Sequence, residues 1–363
     1  HELRTPLSGV IGMAGLLNNT RLSDEQKDYV DSINTSAGML HSLVGDILDL
    51  SKIDAGKLEL KPARFDIRDA LVGTASALSS QALEKGVEVV CHVESEVPEV
   101  VRGDELRLRQ ILFNLVGNAV KFTDSGQVCI VAAVEPADKD LDQRHLRISV
   151  RDSGMGISAD KLPDIFDSFW QADSSSTRRY AGTGLGTTIA RDLTHLMGGA
   201  IGVDSEEGVG TTFWIKLPLL DSGSTRVPRP PPALAKLHVV LVEHNEAGAC
   251  ALQAALAAAD MDVTHVARIE DLERRTWPSD GRPVHALLIS DSPRGEDMPG
   301  IAGRARRVLG ADVPVLYLHY PKRTIPLQAT HEMNVGKPFR TPDLWRALVS
   351  VIDPGEIGPG GGA

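Results

Sequence analysis

The chain opens on His1-Glu2-Leu3-Arg4-Thr5-Pro6-Leu7, and its first two residues could do chemistry together. A neutral imidazole is a nucleophile near pH 7, and the carboxylate beside it can orient the ring and take its proton. Thr5, four residues on, shares a helix face with His1. Pro6 cannot donate to the carbonyl of Glu2 and crowds it, so the helix bends and opens beside the imidazole. In Arg109–Phe122, Asn114 and Asn118 stand four apart and project two amides from one face. Amide oxygens are neutral, hard ligands that suit Mg²⁺. Lys121, one position off that stack, can reach a phosphate as a point charge. Asp152-Ser153-Gly154-Met155-Gly156 follows a strand-like run. An acceptor-only carboxylate there can take a hydrogen bond from an exocyclic amine such as that of adenine. Gly154 and Gly156 let the backbone approach a flat ring. Gly182-Thr183-Gly184-Leu185-Gly186 opens a helix, whose N–H groups favour phosphate. The glycine spacing is neither a Rossmann nor a Walker pattern. Upstream, Ser174–Thr177 with Arg178 and Arg179 form a polar lid, and Gly208-Val209-Gly210-Thr211 is a glycine turn leading into a strand. Alone, each motif has a plain reading: a surface His beside a Glu, two solvated Asn, an Asp-Ser-Gly turn.

These side chains need elements to hold them. Residues 1–20 carry apolar positions at helical spacing, and Asn18-Asn19-Thr20 ends them. Ser23 before Asp24, Glu25 and Gln26 reads as a capped helix start. Apolar residues then recur at threes and fours up to Gly56, predicting a second helix of about 30 residues. Two helices on a short loop make an antiparallel hairpin, which cannot bury so broad a stripe by itself. A second copy completing a four-helix bundle would bury it; packing on the rest of the chain is the alternative. Val87–Val93, Gln127–Val134, Leu146–Asp152 and Thr211–Leu217 are β-rich runs between helical stretches, an α/β sandwich reaching about residue 220. The Ser-, Gly- and Pro-rich stretch 221–235 predicts a linker, stiff and extended at Pro230–Pro232. After it, strands at 237–242, 263–266, 285–290 and 314–318 alternate with helices at 246–259 and 341–352, the pattern of a small doubly wound parallel sheet.

The chain has 38 Lys and Arg against 49 Asp and Glu, a net charge of −11. With no dense basic run, it is not built to bind nucleic acid. Three scattered cysteines, Cys91, Cys129 and Cys250, give neither a disulfide framework nor zinc spacing. Hydrophobic residues at 42% and charged residues at 24% are globular composition.

Taken in order, the motifs resemble those of a hybrid sensor histidine kinase. His1–Leu7 is similar to its phosphoacceptor box, Arg107–Thr123 to its N box, and Asp152–Gly156, Gly182–Gly186 and Gly208–Thr211 to its three glycine boxes. Phe166–Phe169 resembles its F box. Thr187-Thr188 departs from the pattern, where a bulky apolar residue is usual. The resemblance implies a multidomain protein: a helical hairpin forming a dimeric four-helix bundle, an α/β sandwich of the gyrase, Hsp90 and histidine-kinase type, and a doubly wound receiver-like domain. It divides the chain into a dimerisation and phosphotransfer hairpin (1–56), a connector (57–66), a catalytic domain (67–220), a linker (221–235), a receiver-like domain (236–354) and a disordered tail (355–363). It implies ATP and Mg²⁺, with Asn114, Asn118 and Lys121 at the phosphates and Asn118 on the metal. Asp152, Gly154 and Gly156 would lie at adenine, and Arg178, Gly182, Gly184, Gly186 and Thr211 around the nucleotide. His1 would receive the γ-phosphoryl, Glu2 would act as base, and Thr5 would align water if the kinase is also a phosphatase. The connector would let the sandwich swing to His1. The partners implied are a second copy, a response regulator or histidine phosphotransfer protein, and an upstream sensor region. The chain would be the cytoplasmic portion of its parent, with inner-membrane anchoring left to segments outside it.

In the last domain Asp291 falls at the receiver's phosphoacceptor position, Glu243 at the first acidic position and Lys337-Pro338 at the Lys-Pro signature. His244 stands where a second acid is usual, and His319 where a hydroxyl residue is usual. Imidazole for carboxylate is a poor exchange for a hard, oxygen-seeking ion. The expectation is a pseudo-receiver with a structural or regulatory use, the alternative being a slow phosphoacceptor. For the whole chain, a catalytically weak scaffold acting through this domain is the competing reading.

Overall fold

The computed structural model describes residues 4–135, 144–170, 183–219, 227–275 and 283–353, the last span without 322, 324, 328 and 330. Helices α1 (Arg4–Asn18) and α2 (Asp24–Asp54) form the hairpin. The start of α2 is fixed by a capping box: Ser23 Oγ accepts from Gln26 N, and Gln26 Oε1 from Ser23 N. Inside the hairpin Leu7, Ala14, Val30 and Ala37 are buried. Val10, Met13, Leu16, Tyr29, Ile33, Leu40 and Ile47 remain exposed. Only the end of the stripe, Leu50 and Ile53, packs on the catalytic core. The exposed positions before it find no cover among the described residues, so packing on the rest of the chain accounts for a small part of the stripe.

The middle region is one two-layered core. Its sheet runs β2 (Val87–Val93), β4 (Gly126–Glu135), β5 (His145–Asp152), β7 (Gly210–Pro218), β6 (Ala200–Glu206), with β2–β4 parallel and the other pairs antiparallel. Burial alternates along β5 and β7 because successive side chains point to opposite faces. The inward residues meet α3 (Ile67–Glu84), α4 (Glu105–Phe122) and α5 (Gly186–Leu196) in a single apolar cluster. A two-stranded ribbon, β1 (Ala63–Asp66) with β3 (Val100–Gly103), edges this domain. The ribbon corrects the expected connector. Residues 63–66 are a paired strand, Leu58 is buried in the catalytic core, and Lys61 N donates to Asp104 Oδ2 at 2.8 Å. Most of the span 57–66 is thus strapped to the sandwich.

The C-terminal sheet is parallel, in the order β12 (Glu332–Gly336), β11 (Val315–His319), β10 (Ala286–Ser290), β8 (His238–Val242), β9 (Asp262–Val266). Renumbered within the domain this is 5-4-3-1-2, the flavodoxin-like doubly wound order. Strands β8 and β10 are buried throughout, because separate clusters cover both faces. Helices α6 (Glu246–Ala257) and α9 (Thr341–Ile352) flank one face; α7 (Ile269–Glu273) and α8 (Met298–Leu309) flank the other. Pro232–Leu234 makes a 3₁₀ turn instead of continuing an extended linker, and Leu234 is buried in this domain. Residues 221–226 of the linker and the whole tail 355–363 lie outside the described residues, as do the flanking residues 220 and 354. Helix α6 lies against β2, and Arg340 reaches Asp69 of α3 at 2.7 Å, so the C-terminal domain is docked on the sandwich. No helix among the described residues is long and apolar enough to cross a membrane.

Candidate active site

Helix α4 carries three predicted site residues and is anchored at both ends. Asp104 caps its start, Oδ1 accepting from Arg107 N at 3.1 Å. The Lys85 ammonium donates to the main-chain oxygens of Val120 and Lys121 at 2.9 and 2.7 Å, where the helix leaves carbonyls unpaired. Asn114 faces the start of α5: a Cβ on Gly186 would stand 3.5 Å from its Oδ1. Its Nδ2 is buried with no partner. Such an orphan donor costs about 1–3 kcal/mol unless a ligand oxygen meets it. Asn118, one turn on, is half-buried and makes no side-chain hydrogen bond among the described residues. Burial, then the nearby Lys85 charge, lowers the pKa of Lys121.

The Asp152 carboxylate is held from one side only. Its Oδ1 accepts from Gly154 N at 2.9 Å and from Thr211 N at 3.3 Å. Its Oδ2 takes no hydrogen bond among the described residues and is free for an incoming donor. Burial raises its pKa, and the two amides oppose the shift. Gly154 and Gly156 are needed for closeness: a Cβ on Gly154 would strike the Phe122 carbonyl, and one on Gly156 (φ +69°) the Glu206 carbonyl. Gly184 (φ +71°) accepts from Phe169 N at 3.0 Å, so the second glycine box is joined to the F box.

These groups fit a purine nucleotide with a divalent ion: an open carboxylate oxygen for an amine, an orphan amide at a helix start, and a second free amide on the same face. Residues 103–221 match the family described as Histidine kinase-, DNA gyrase B-, and HSP90-like ATPase, and residues 1–56 the His Kinase A (phospho-acceptor) domain. GacS of Pseudomonas protegens, a sensor histidine kinase, is 42% identical over 272 residues, which is 75% of this chain and 29% of that protein. BarA of Escherichia coli, a signal transduction histidine-protein kinase, is 39% identical over 256 residues, 69% of this chain and 27% of that protein. The crystal structure of ShkA full-length in complex with AMPPNP is 31% identical, with a TM-score of 0.72, covering 98% of this chain and 71% of that one. The chain belongs to the hybrid sensor histidine kinases.

It spans less than a third of the length of the curated relatives GacS and BarA. Both are named as kinases, and nothing in them supports the scaffold reading. In this histidine kinase the departure at Thr187-Thr188 has a physical reason. Thr188 is fully buried, and its Oγ1 donates to the Phe166 carbonyl at 3.0 Å, joined there by Arg191 Nη1 at 3.1 Å. The hydroxyl anchors the F box. His1, Glu2, Arg178 and Gly182 lie outside the described residues, and of Thr5 the structure gives only its place in α1.

In the C-terminal domain the kinase's predicted acidic cluster does assemble, with a different use of its lysine. Lys337 Nζ donates to Ser290 Oγ at 2.8 Å, to the main-chain oxygen of Asp291 at 3.1 Å and to Glu243 Oε2 at 3.4 Å. Its shortest bond, 2.6 Å, goes to Glu88 Oε1 on β2 of the sandwich. Burial works against the ammonium, but Glu243 and Glu88 outweigh it and raise its pKa. Glu243 is pulled below the usual range by Lys337 despite its burial. Asp291 is buried, and Arg323 lies over it: Nη1 is 3.4 Å from Oδ2 and 2.8 Å from the Ser292 carbonyl. His244 Nδ1 stands 3.3 Å from Glu243 Oε1, and His319 turns to the Tyr320 carbonyl. An imidazole and an ammonium around these carboxylates do not fit a resident Mg²⁺.

Sequence reasoning missed Ser205, Glu88 and Arg323. Ser205 Oγ takes Ile157 N at 2.8 Å and lies 2.9 Å from Thr211 Oγ1, tying the first glycine box to the third. Nothing in its neighbourhood marks it. Glu88 had one signal, a charge inside the buried run Val87–Val90.

Proposed function

We propose that this chain is the autokinase core of a phosphorelay. We assign the hairpin to 1–56, the catalytic domain to 67–220 with most of 57–66 strapped to it, and the receiver-like domain to 236–354, the last supported by its sheet order and by Asp291, Glu243 and Lys337 lying together. ATP binds with adenine at Asp152, Gly154, Gly156 and Thr211, and its phosphates at Asn114, Asn118, Lys121 and the loop of Arg178, Gly182, Gly184 and Gly186. When bound, Mg²⁺ on Asn118 neutralises phosphate charge. The His1 ring nitrogen attacks the γ-phosphorus, the bond to the β–γ bridging oxygen breaks, ADP leaves with that electron pair, and Glu2 takes the ring proton. The rate gain is positional, since the site supplies alignment and charge neutralisation rather than covalent chemistry. A second chain supplies the missing half of a four-helix bundle, covering the exposed stripe of the hairpin. The phosphoryl group then goes to a response regulator or histidine phosphotransfer protein, on the cytoplasmic side of the parent.

The observation that carries this reading is the Asp152 carboxylate, fixed through Oδ1 with Oδ2 open. Incubation with labelled ATP and Mg²⁺ tests it. Label from the γ position, stable to base and lost in acid, is expected. No label, or label from the α position, contradicts it.

A further inference from the structure

The ion pair between Lys337 and Glu88 joins residues 249 positions apart, on two domains, with side chains only 7% and 1% exposed. Glu88, Glu243 and His244 each place a ligand atom within 4.8 Å of the others, close enough for a metal ion. The Lys337 ammonium already sits on both carboxylates, so an internal cation does that work. Beside this clamp a second contact crosses the interface. Asn245 caps α6 with Oδ1, which accepts from Gly248 N at 2.7 Å, and donates Nδ2 to Gln127 Oε1 of β4 at 2.7 Å. Gln127 in turn is bonded to the loop that follows Asp152. Its N–H donates to Ser153 Oγ at 2.9 Å, and its carbonyl accepts from Ser153 N at 3.1 Å. A line of hydrogen bonds therefore runs from the C-terminal domain to the residue next to the adenine carboxylate.

We propose that the C-terminal domain is a working part of the nucleotide site: clamped by Lys337 to Glu88, it braces the Asp152–Gly156 loop through Asn245, Gln127 and Ser153. Lys337, Glu88, Asn245 and Gln127 are positioning residues, since none would touch the nucleotide. Docking and nucleotide binding are then coupled, and coupling is reciprocal: whatever draws Lys337 away from Glu88 weakens ATP binding, and ATP strengthens docking. This inference rests on the ATP reading of that site.

The test is calorimetric titration of the full chain with ATP and Mg²⁺, beside solution scattering to report docking. Asn245→Ser keeps a helix cap while losing the reach to Gln127. Gln127→Ala removes the acceptor and leaves the main-chain bonds to Ser153. Each is expected to raise the ATP Kd about 3- to 10-fold, the worth of one hydrogen bond, with KM for ATP rising alike and kcat at saturating ATP holding. Lys337→Met and Glu88→Gln are expected to do the same and to enlarge the scattering envelope. Unchanged Kd in Asn245→Ser and Gln127→Ala, or an undocked Lys337→Met that binds ATP as tightly as the unaltered chain, overturns the proposal. Failure of the unaltered chain to bind ATP overturns the nucleotide reading itself, which keeps the two separable.

Discussion

Asp49, near the end of the hairpin, and Arg107, on the helix of the nucleotide site, are joined by an ion pair of 3.0 Å. The same Asp49 oxygen accepts from Gln110 at 2.9 Å. Arg107 lies on α4, which also carries Asn114 and Asn118, so the hairpin holds the helix that presents these two amides.

Breaking this hold should free the catalytic domain without unfolding it. Both partners are under a fifth exposed, and the pair is worth about 1 kcal/mol, a factor of about 5 in the docked population. Spin labels at Tyr29 and Glu207, in a Cys250→Ser background, should show a broader distance distribution in Asp49→Ala. An unchanged distribution would mean that Leu50 and Ile53, packed on the catalytic core, hold the domains alone.

ATP binding should weaken on acidification before an ordinary aspartate would titrate. Burial raises the Asp152 pKa, so its carboxylate gains a proton above the usual value of about 4 and stops accepting from adenine. The sign for stability is opposite. A raised folded-state pKa favours the fold below the unfolded value, and that contribution is lost as pH rises through the folded one. The nucleotide-free protein thus gains stability from this group on acidification while ATP affinity falls. Asp152→Asn should bind ATP at least about 10-fold more weakly, from a lost charge-assisted hydrogen bond, and should show a smaller fall in affinity on acidification than the unaltered chain. Calorimetry from pH 4 to pH 7 measures both.

Two left-handed glycines should differ when substituted. Gly208 (φ +80°) has open space around a Cβ, so Gly208→Ala meets only backbone strain, about 1–2 kcal/mol. Gly156→Ala adds a collision with the Glu206 carbonyl. Thermal unfolding should rank Gly156→Ala as the less stable, and calorimetry should find ATP binding lost there but kept in Gly208→Ala.

The hairpin stripe should control dimerisation. Ile33, Leu40 and Ile47 are 45–50% exposed in one chain. Burying such side chains contributes about 1.5–3 kcal/mol each. Ile33→Glu should shift the sedimentation profile from dimer to monomer, and Ser23→Ala, which removes a cap worth about 1 kcal/mol, should lower the melting point without changing the mass.

The sequence was most legible where the signal is local. The Ser23–Gln26 box and the long apolar period placed α2, and alternation placed β5 and β7. Strand β6 was missed because it is a sheet edge with no residue fully buried, so alternation fails. The ribbon of β1 and β3 pairs four residues across a gap of more than thirty, and neither strand is recognisable without the other. At the site, residue types and spacing announced Asp152 and both Asn. The use of Lys337 was illegible, because its partner Glu88 belongs to another domain and no neighbouring residue encodes the pair.

The most direct measurement is the position of the phosphoryl group after reaction of the purified chain with γ-labelled ATP and Mg²⁺. Acid-labile label should map to the peptide of His1 and vanish in His1→Ala, while that variant binds ATP as the unaltered chain does. Label that survives in His1→Ala, or a His1→Ala chain that labels at the same rate, would contradict a phosphoacceptor at His1.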